Sequence, residues 1–392
     1  MNLNSFYDVN VDLFEKLNNF NLLEYLELKG FIFNNLFTLK LSKLRSLILY
    51  NCNNITFSQN CCLNINQLHL SNCIIIKQNN LLKFPLVEDC KFILDSEDKI
   101  KTYNSIIDYS SLKKVKKLSI EVNDFLNLEN NPLEELIIEK NIKSKEIEIK
   151  MIEKVMSINT LKTLALNLEV IDFNEILNLE GKNTSLENLC VEWHNEKDCL
   201  LKNIHIKFPN LSNIFLKGEG GLNDEPFMLN IKEDFNSKID QIFFRFINEN
   251  TEIYCQSFEN LKTLVIASDS KLVIAFPIFL SNDKIIFKSL TYFSLFYAYD
   301  LPLFILNNLF DNLDKMPNLC YFDINIISSD INEESYIKII KNIVQHEKIN
   351  YIKIKILMGA FIDEFDSFEE DNNSYIAIYN PKIGIYVKRK IK

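Results

Sequence analysis

One short phrase of apolar and polar positions recurs along this chain. At Leu44, Leu47 and Leu49 apolar residues stand at relative positions one, four and six, and Cys52 follows at nine. Side chains alternate across a strand, so positions four and six share one face, and position one enters the same core from the preceding turn. Beyond position six the chain bends away, and Cys52 is placed to face main-chain groups that the bend would leave unpaired. One such unit cannot bury its own apolar edge and requires neighbours.

The neighbours are legible. The phrase occurs at Leu23/Leu26/Leu28 and, with starts 21 residues apart, at Leu44 and at Ile65/Leu68/Leu70 with Cys73. A shorter step of 17 residues gives a degenerate fourth version, Leu82, Pro85, Val87 and Cys90. The pattern becomes regular again at Val115/Leu118/Ile120 and Leu133/Leu136/Ile138. It continues at Leu161/Leu164/Leu166, Leu186/Leu189/Val191, Leu211/Ile214/Leu216 and Ile239/Ile242/Phe244. The last four are Leu261/Leu264/Ile266, Leu290/Phe293/Leu295, Leu319/Phe322/Ile324 and Ile349/Ile352/Ile354. A step of 21 leaves room only for a short return segment, whereas the longer later steps can hold a helix. Helical spacing is visible in Ile147–Ile158, in Pro302–Met316 and after the D-x-x-E pair Asp330/Glu333. Val11, Phe14 and Leu17 predict an amphipathic helix over Asn10–Asn19 that would cap the first coil.

This array resembles the leucine-rich repeat family over roughly residues 20 to 360. Cys52-Asn-Asn-Ile55-Thr56, Cys73-Ile-Ile-Ile76 and Cys90-Lys-Phe-Ile93 resemble its cysteine-containing subtype, which is often joined to an F-box; no F-box opening is present. The resemblance implies an α/β solenoid: a right-handed horseshoe with a parallel sheet on the concave face and helices or short extended segments on the convex face. It also implies protein–protein recognition on the concave face. The expected organisation is an N-terminal helical cap (1–20), a repeat domain of 13–14 repeats (21–360) and a C-terminal segment (361–392). That segment holds an acidic run, Asp363–Asp371, then two short strands around Asn380-Pro381 that would close the last repeat's open edge, then a basic tail.

Composition narrows the class. The chain of 392 residues is 47% hydrophobic and 24% charged, the profile of a folded protein. Its net charge of −10 argues against a general nucleic-acid or anionic-membrane surface. The N-terminus has no basic region ahead of an apolar stretch, and the most apolar segment, Ser289–Phe310, is broken by Asp300 and Pro302. A cytoplasmic setting is the expectation, with the nine cysteines as free thiols, including the adjacent Cys61 and Cys62.

Candidate chemistry is sparse. His69, His194, His205 and His346 show no metal-ligand spacing, and Gly218-Glu-Gly-Gly221 lacks the G-K-[ST] ending of a phosphate loop. Neither a cofactor, a metal nor a catalytic set is expected. What remains is a surface. Positions three, five and seven of each strand point away from the core, and there the later repeats carry aromatic and basic residues. The candidate partner-binding residues are Trp193, Phe215, Lys217, Phe243, Arg245, Val265, Tyr292, Phe296, Tyr321 and Tyr351. Aromatic and arginine side chains on a rigid face are the usual substance of a binding hot spot. The expected function is a non-enzymatic scaffold, monomeric on its own, that binds a protein partner. The alternatives are the substrate-recognition subunit of a ubiquitin ligase and, further off, an enzyme with a site in a loop such as Gly218–Asp234.

Overall fold

The structure is a computed structural model. It describes residues 2–4, 8–9, 16–76, 81–93, 107–121, 132–140, 145–168, 173–193, 199–200, 204–218, 227–231, 241–246, 251–255, 260–268, 287–300, 307, 309–327, 349, 351–357, 368–371, 375–380 and 384–389. The chain divides into two compact units, Met1–Glu169 and Val170–Lys392. Both are solenoids of stacked parallel strands.

In the first unit the main sheet contains β1 (Asn2–Asn4), β3 (Tyr25–Lys29), β5 (Ser46–Tyr50), β7 (Gln67–Ser71) and β9 (Asp89–Ile93). It continues with β10 (Lys117–Glu121), β11 (Glu135–Lys140) and β12 (Thr163–Leu168). Each strand is parallel to the next in this order. Position four aligns across the ladder, Leu26 with Leu47, Leu68, Cys90, Leu118, Leu136 and Leu164. All seven side chains are buried.

The register settles the weak fourth repeat differently from the sequence reading. Val87, Cys90 and Phe92 occupy positions one, four and six, not Leu82, Pro85 and Val87. Cys90 therefore lies in the strand in line with Leu68 and is not the counterpart of Cys52 and Cys73. A thiol is close enough in size to an aliphatic side chain to take the core position, and that substitution hid the register.

The return segments of the early coils are strands. β2 (Asp8–Val9), β4 (Ile32–Leu39), β6 (Asn53–Phe57) and β8 (Ile74–Ile75) form a second parallel sheet. Among the described residues helices are few. Lys16–Asn19 is a 3-10 turn, and the rest of the expected N-terminal helix lies outside the described residues. A helix spans Lys145–Ser157 and buries Ile152, Val155 and Met156. The expected helix after Asp330 also lies outside the described residues, and of Pro302–Met316 the segment 309–311 is helical and Leu313–Lys315 is a 3-10 turn.

Two main-chain devices recur from coil to coil, the first of which holds consecutive coils together. The carbonyl of Glu24 accepts the N–H groups of both Arg45 and Ser46, and Arg45 does the same for Asn66 and Gln67. The pairing repeats from Asn66 to Glu88/Asp89, from Glu88 to Lys116/Lys117, from Lys116 to Glu134/Glu135 and from Glu134 to Lys162/Thr163. The second device is a tight turn ahead of position one, closed by Leu44 N–H to the Leu41 carbonyl and Ile65 N–H to Cys62. It buries a residue at position minus two, three places before the first leucine: Leu41, Cys62, Phe84, Leu112 and Ile158.

The second unit's main sheet contains β13 (Asn188–Trp193), β15 (Asn213–Gly218), β17 (Gln241–Phe246) and β19 (Thr263–Ser268). It continues with β20 (Tyr292–Asp300), β21 (Tyr321–Ile327) and β22 (Tyr351–Leu357), again parallel throughout. The same staple recurs, Glu187 accepting from Ser212 and Asn213, Lys262 from Thr291 and Tyr292, and Thr291 from Cys320 and Tyr321. A smaller parallel sheet is made by β14 (Cys199–Leu200), β16 (Phe227–Ile231) and β18 (Thr251–Cys255). At the far end the direction reverses. β23 (Phe368–Asp371), β24 (Tyr375–Asn380) and β25 (Gly384–Arg389) are antiparallel, and β25 pairs with β22.

Candidate functional site

Among the described side chains of the second unit, positions four and six are buried (Leu189/Val191, Ile214/Leu216, Leu264/Ile266, Phe293/Leu295 and Phe322/Ile324), and the register aligns positions three, five and seven of successive strands in three rows. The first row reads Asn188, Asn213, Gln241, Thr263, Tyr292, Tyr321 and Tyr351. The middle row is Cys190, Phe215, Phe243, Val265, Ser294, Asp323 and Lys353, and the third is Glu192, Lys217, Arg245, Ala267, Phe296, Asn325 and Lys355. All ten candidate residues lie on this ladder. Phe215 and Phe243 are direct neighbours, as are Lys217 and Arg245, and Tyr292, Tyr321 and Tyr351 occupy one row; Trp193 is opposite Gly218 at the strand ends.

Side-chain geometry is described for five of them. The rings of Tyr292 and Tyr321 stack with centroids 4.5 Å apart and planes 11° from parallel. Equal register on parallel strands about 4.8 Å apart brings the two rings within the centroid separation at which aromatic rings stack. Phe296 is 40% exposed, while Phe215 and Val265 are half-buried. Beneath the tyrosines Phe293 and Phe322 repeat the arrangement inside the core, 5.6 Å apart, and hold the backbone that carries the outer pair. Beside the aromatic row, Lys353 Nζ lies 3.9 Å from Asp323 Oδ2. At the other end of the first row, the Asn213 side-chain amide donates to Asn188 Oδ1. The face thus passes from amides to stacked phenols along a single line.

The first unit carries a polar line that sequence reasoning did not bring together. Ser46 Oγ donates to Gln67 Oε1 at 2.6 Å, Gln67 Nε2 donates to Asp89 Oδ2 at 2.9 Å, and His69 Nε2 lies 3.0 Å from Asp89 Oδ1. Lys117 beyond it pairs with Glu135 at 3.1 Å. The hydrogen bond from His69 is the main reason the Asp89 carboxyl sits below its ordinary pKa; Gln67 and the charge of Lys117 act the same way, and partial burial opposes them. These residues occupy positions three and five of consecutive repeats. Taking Val87 as position one would have revealed them, whereas the Leu82 register put Asp89 off the row.

Among the described residues the thiols are free and mostly in the core. Cys52, Cys61, Cys62, Cys73 and Cys90 are buried. The Cys52 thiol donates to the carbonyls of Leu28 and Tyr50 at 3.5 and 3.3 Å, and Cys73 donates to Ser71 at 3.2 Å, which is the bend-satisfying role the repeat requires. Cys61 and Cys62 close the short helix Gln59–Cys62, where burial pushes both thiols up, Cys61 to about 12. His194 and His346 lie outside the described residues, as do 219–226 after the first glycine of Gly218–Gly221. Among the described residues no group of three potential ligands could hold a metal ion, and no helix is long and apolar enough to cross a membrane.

Comparison with known protein families finds no family model that matches the chain, and no curated protein is similar enough to stand as a relative.

Proposed function

We propose that the chain is a leucine-rich-repeat scaffold with no reaction of its own. On this reading a protein partner docks across the open face of the second unit's sheet, at its aromatic end. The observation that carries this reading is the Tyr292–Tyr321 stack beside exposed Phe296. Three large aromatic side chains held on adjacent rigid strands lose little conformational freedom on contact, and such residues supply a disproportionate share of interface energy. The leucine-rich assignment rests on the spacing of positions one, four and six and on the cysteines that satisfy the bends at 52 and 73.

The test is a combined Tyr292→Ala, Phe296→Ala and Tyr321→Ala variant, compared with the unaltered chain as bait in extract from its native cells. Proteins that the unaltered chain retains specifically should fall about tenfold or more, for a loss of at least about 1.4 kcal/mol. The unfolding midpoint should move by only a few degrees. Retention of the same proteins by a folded variant would remove this face from consideration.

A further inference from the structure

We propose that Cys52 and Cys73 form an oxidant-sensitive pair, a site at which a small peroxide converts two core thiols into a disulfide joining consecutive coils of the first unit. The two residues occupy the same position one 21-residue period apart. The backbones are locked side by side there. Ile74 N–H donates to the Cys52 carbonyl at 2.8 Å, and Asn53 is in parallel register with Ile74. Parallel neighbours stand about 4.8 Å apart, inside the roughly 4.4–6.8 Å that a disulfide requires between α-carbons. Both side chains lie on the same side of the coil, each thiol at the carbonyl two residues before it.

The two sulfurs are chemically unequal. The neighbouring Cys73 thiol and, after it, the main-chain groups around Cys52 draw the Cys52 thiol below its ordinary pKa; burial holds Cys73 well above. Cys52 is therefore the sulfur that attacks. As thiolate it takes one peroxide oxygen and the O–O bond breaks. The departing hydroxide picks up a proton and leaves as water, and Cys52 becomes a sulfenic acid. Cys73 then forms the S–S bond and expels the sulfenic oxygen as a second water. Two thiols and one hydrogen peroxide give one disulfide and two waters. Both residues are at 0% exposure, so the reagent must be little larger than water and enter during local opening.

The experiment exposes the folded full chain to hydrogen peroxide, alkylates residual thiols, and maps peptides without reduction. The expected result is a linked peptide containing Cys52 and Cys73, formed several-fold faster than any other disulfide in the chain. It should be accompanied by an unfolding midpoint raised by about 5 °C that dithiothreitol reverses. Cys73→Ala should leave Cys52 as a sulfenic acid trappable by dimedone. Cys52 and Cys73 recovered as free thiols while other cysteines have oxidised would overturn the proposal. So would preferential linkage of Cys61 to Cys62, or a linked chain that unfolds at a lower temperature.

Discussion

Asp89 shows how much one side chain depends on its coil neighbours. It accepts from Gln67 on the preceding strand and lies beside His69 two positions further along that strand. Because its folded pKa is depressed, the stabilisation it brings is fully present above the unfolded value, about 3.9, and is lost as pH falls through the folded value. Asp89→Asn should therefore lower the unfolding midpoint near neutral pH and converge on the unaltered chain once the pH has fallen below the depressed folded value. The gap is on the order of 1 kcal/mol or less, since about a third of the carboxylate side chain is solvent-exposed. Thermal unfolding of both proteins across this range is the measurement, and a gap that persists at the acid end would mean the residue acts through packing instead. Cys90, one residue on, marks where the sequence misled: read as the small residue of a bend, it is a core position, and only pairing with Leu68 and Leu118 distinguishes the two.

At the scale of the element, the inner strands were legible because burial on one face imposes strict alternation, and the spacing of positions one, four and six survives any choice among Leu, Ile, Val and Phe. The outer strands were not. Ile32–Leu39 contains two asparagines amid its apolar residues, and its pairing with Asn53–Phe57 follows from the stacking of coils instead of a pattern of its own. The bend that joins inner to outer strand is set by backbone geometry. Gly30, Asn51 and Asn72 occupy one position per coil with φ of 74°, 51° and 51°. Asparagine tolerates this left-handed conformation and β-branched residues do not. Asn51→Val should cost about 1–2 kcal/mol in chemical unfolding, whereas Asn51→Gly should be nearly neutral. Equal losses for the two substitutions would indicate that the asparagine side chain, not its φ, is what the bend requires.

For the whole molecule, what the sequence made visible was the array; what it left hidden was its division into two compact units and how it ends. The division into Met1–Glu169 and Val170–Lys392 has no punctuation in the repeat spacing, which runs through Leu161 and Leu186 without a break. The end is built by reversal: β25 runs antiparallel to β22 and uses the hydrogen-bonding edge that another parallel coil would otherwise require. An unprotected edge of this kind is a template for other chains. Removal of residues 375–392 should turn a dispersed protein into one that self-associates with increasing concentration, read by light scattering. A truncated chain that stays at constant mass would show that β22 needs no cover.

The stapling carbonyls carry one more implication, for how such a molecule can be lengthened or shortened. Among the described residues, each stapled coil takes its starting register from a main-chain oxygen in the coil before it, without reference to side-chain identity. A block cut at matching points, such as residues 45–65, therefore leaves Leu44 running into Asn66 in the same phase, with Glu24 receiving the amides that Arg45 once served. Excision that does not run from one position to the same position of a later coil turns every later side chain out of step. The tally of coils is free to drift by whole turns, and the reach of the outward face can be adjusted without redesign of its rows.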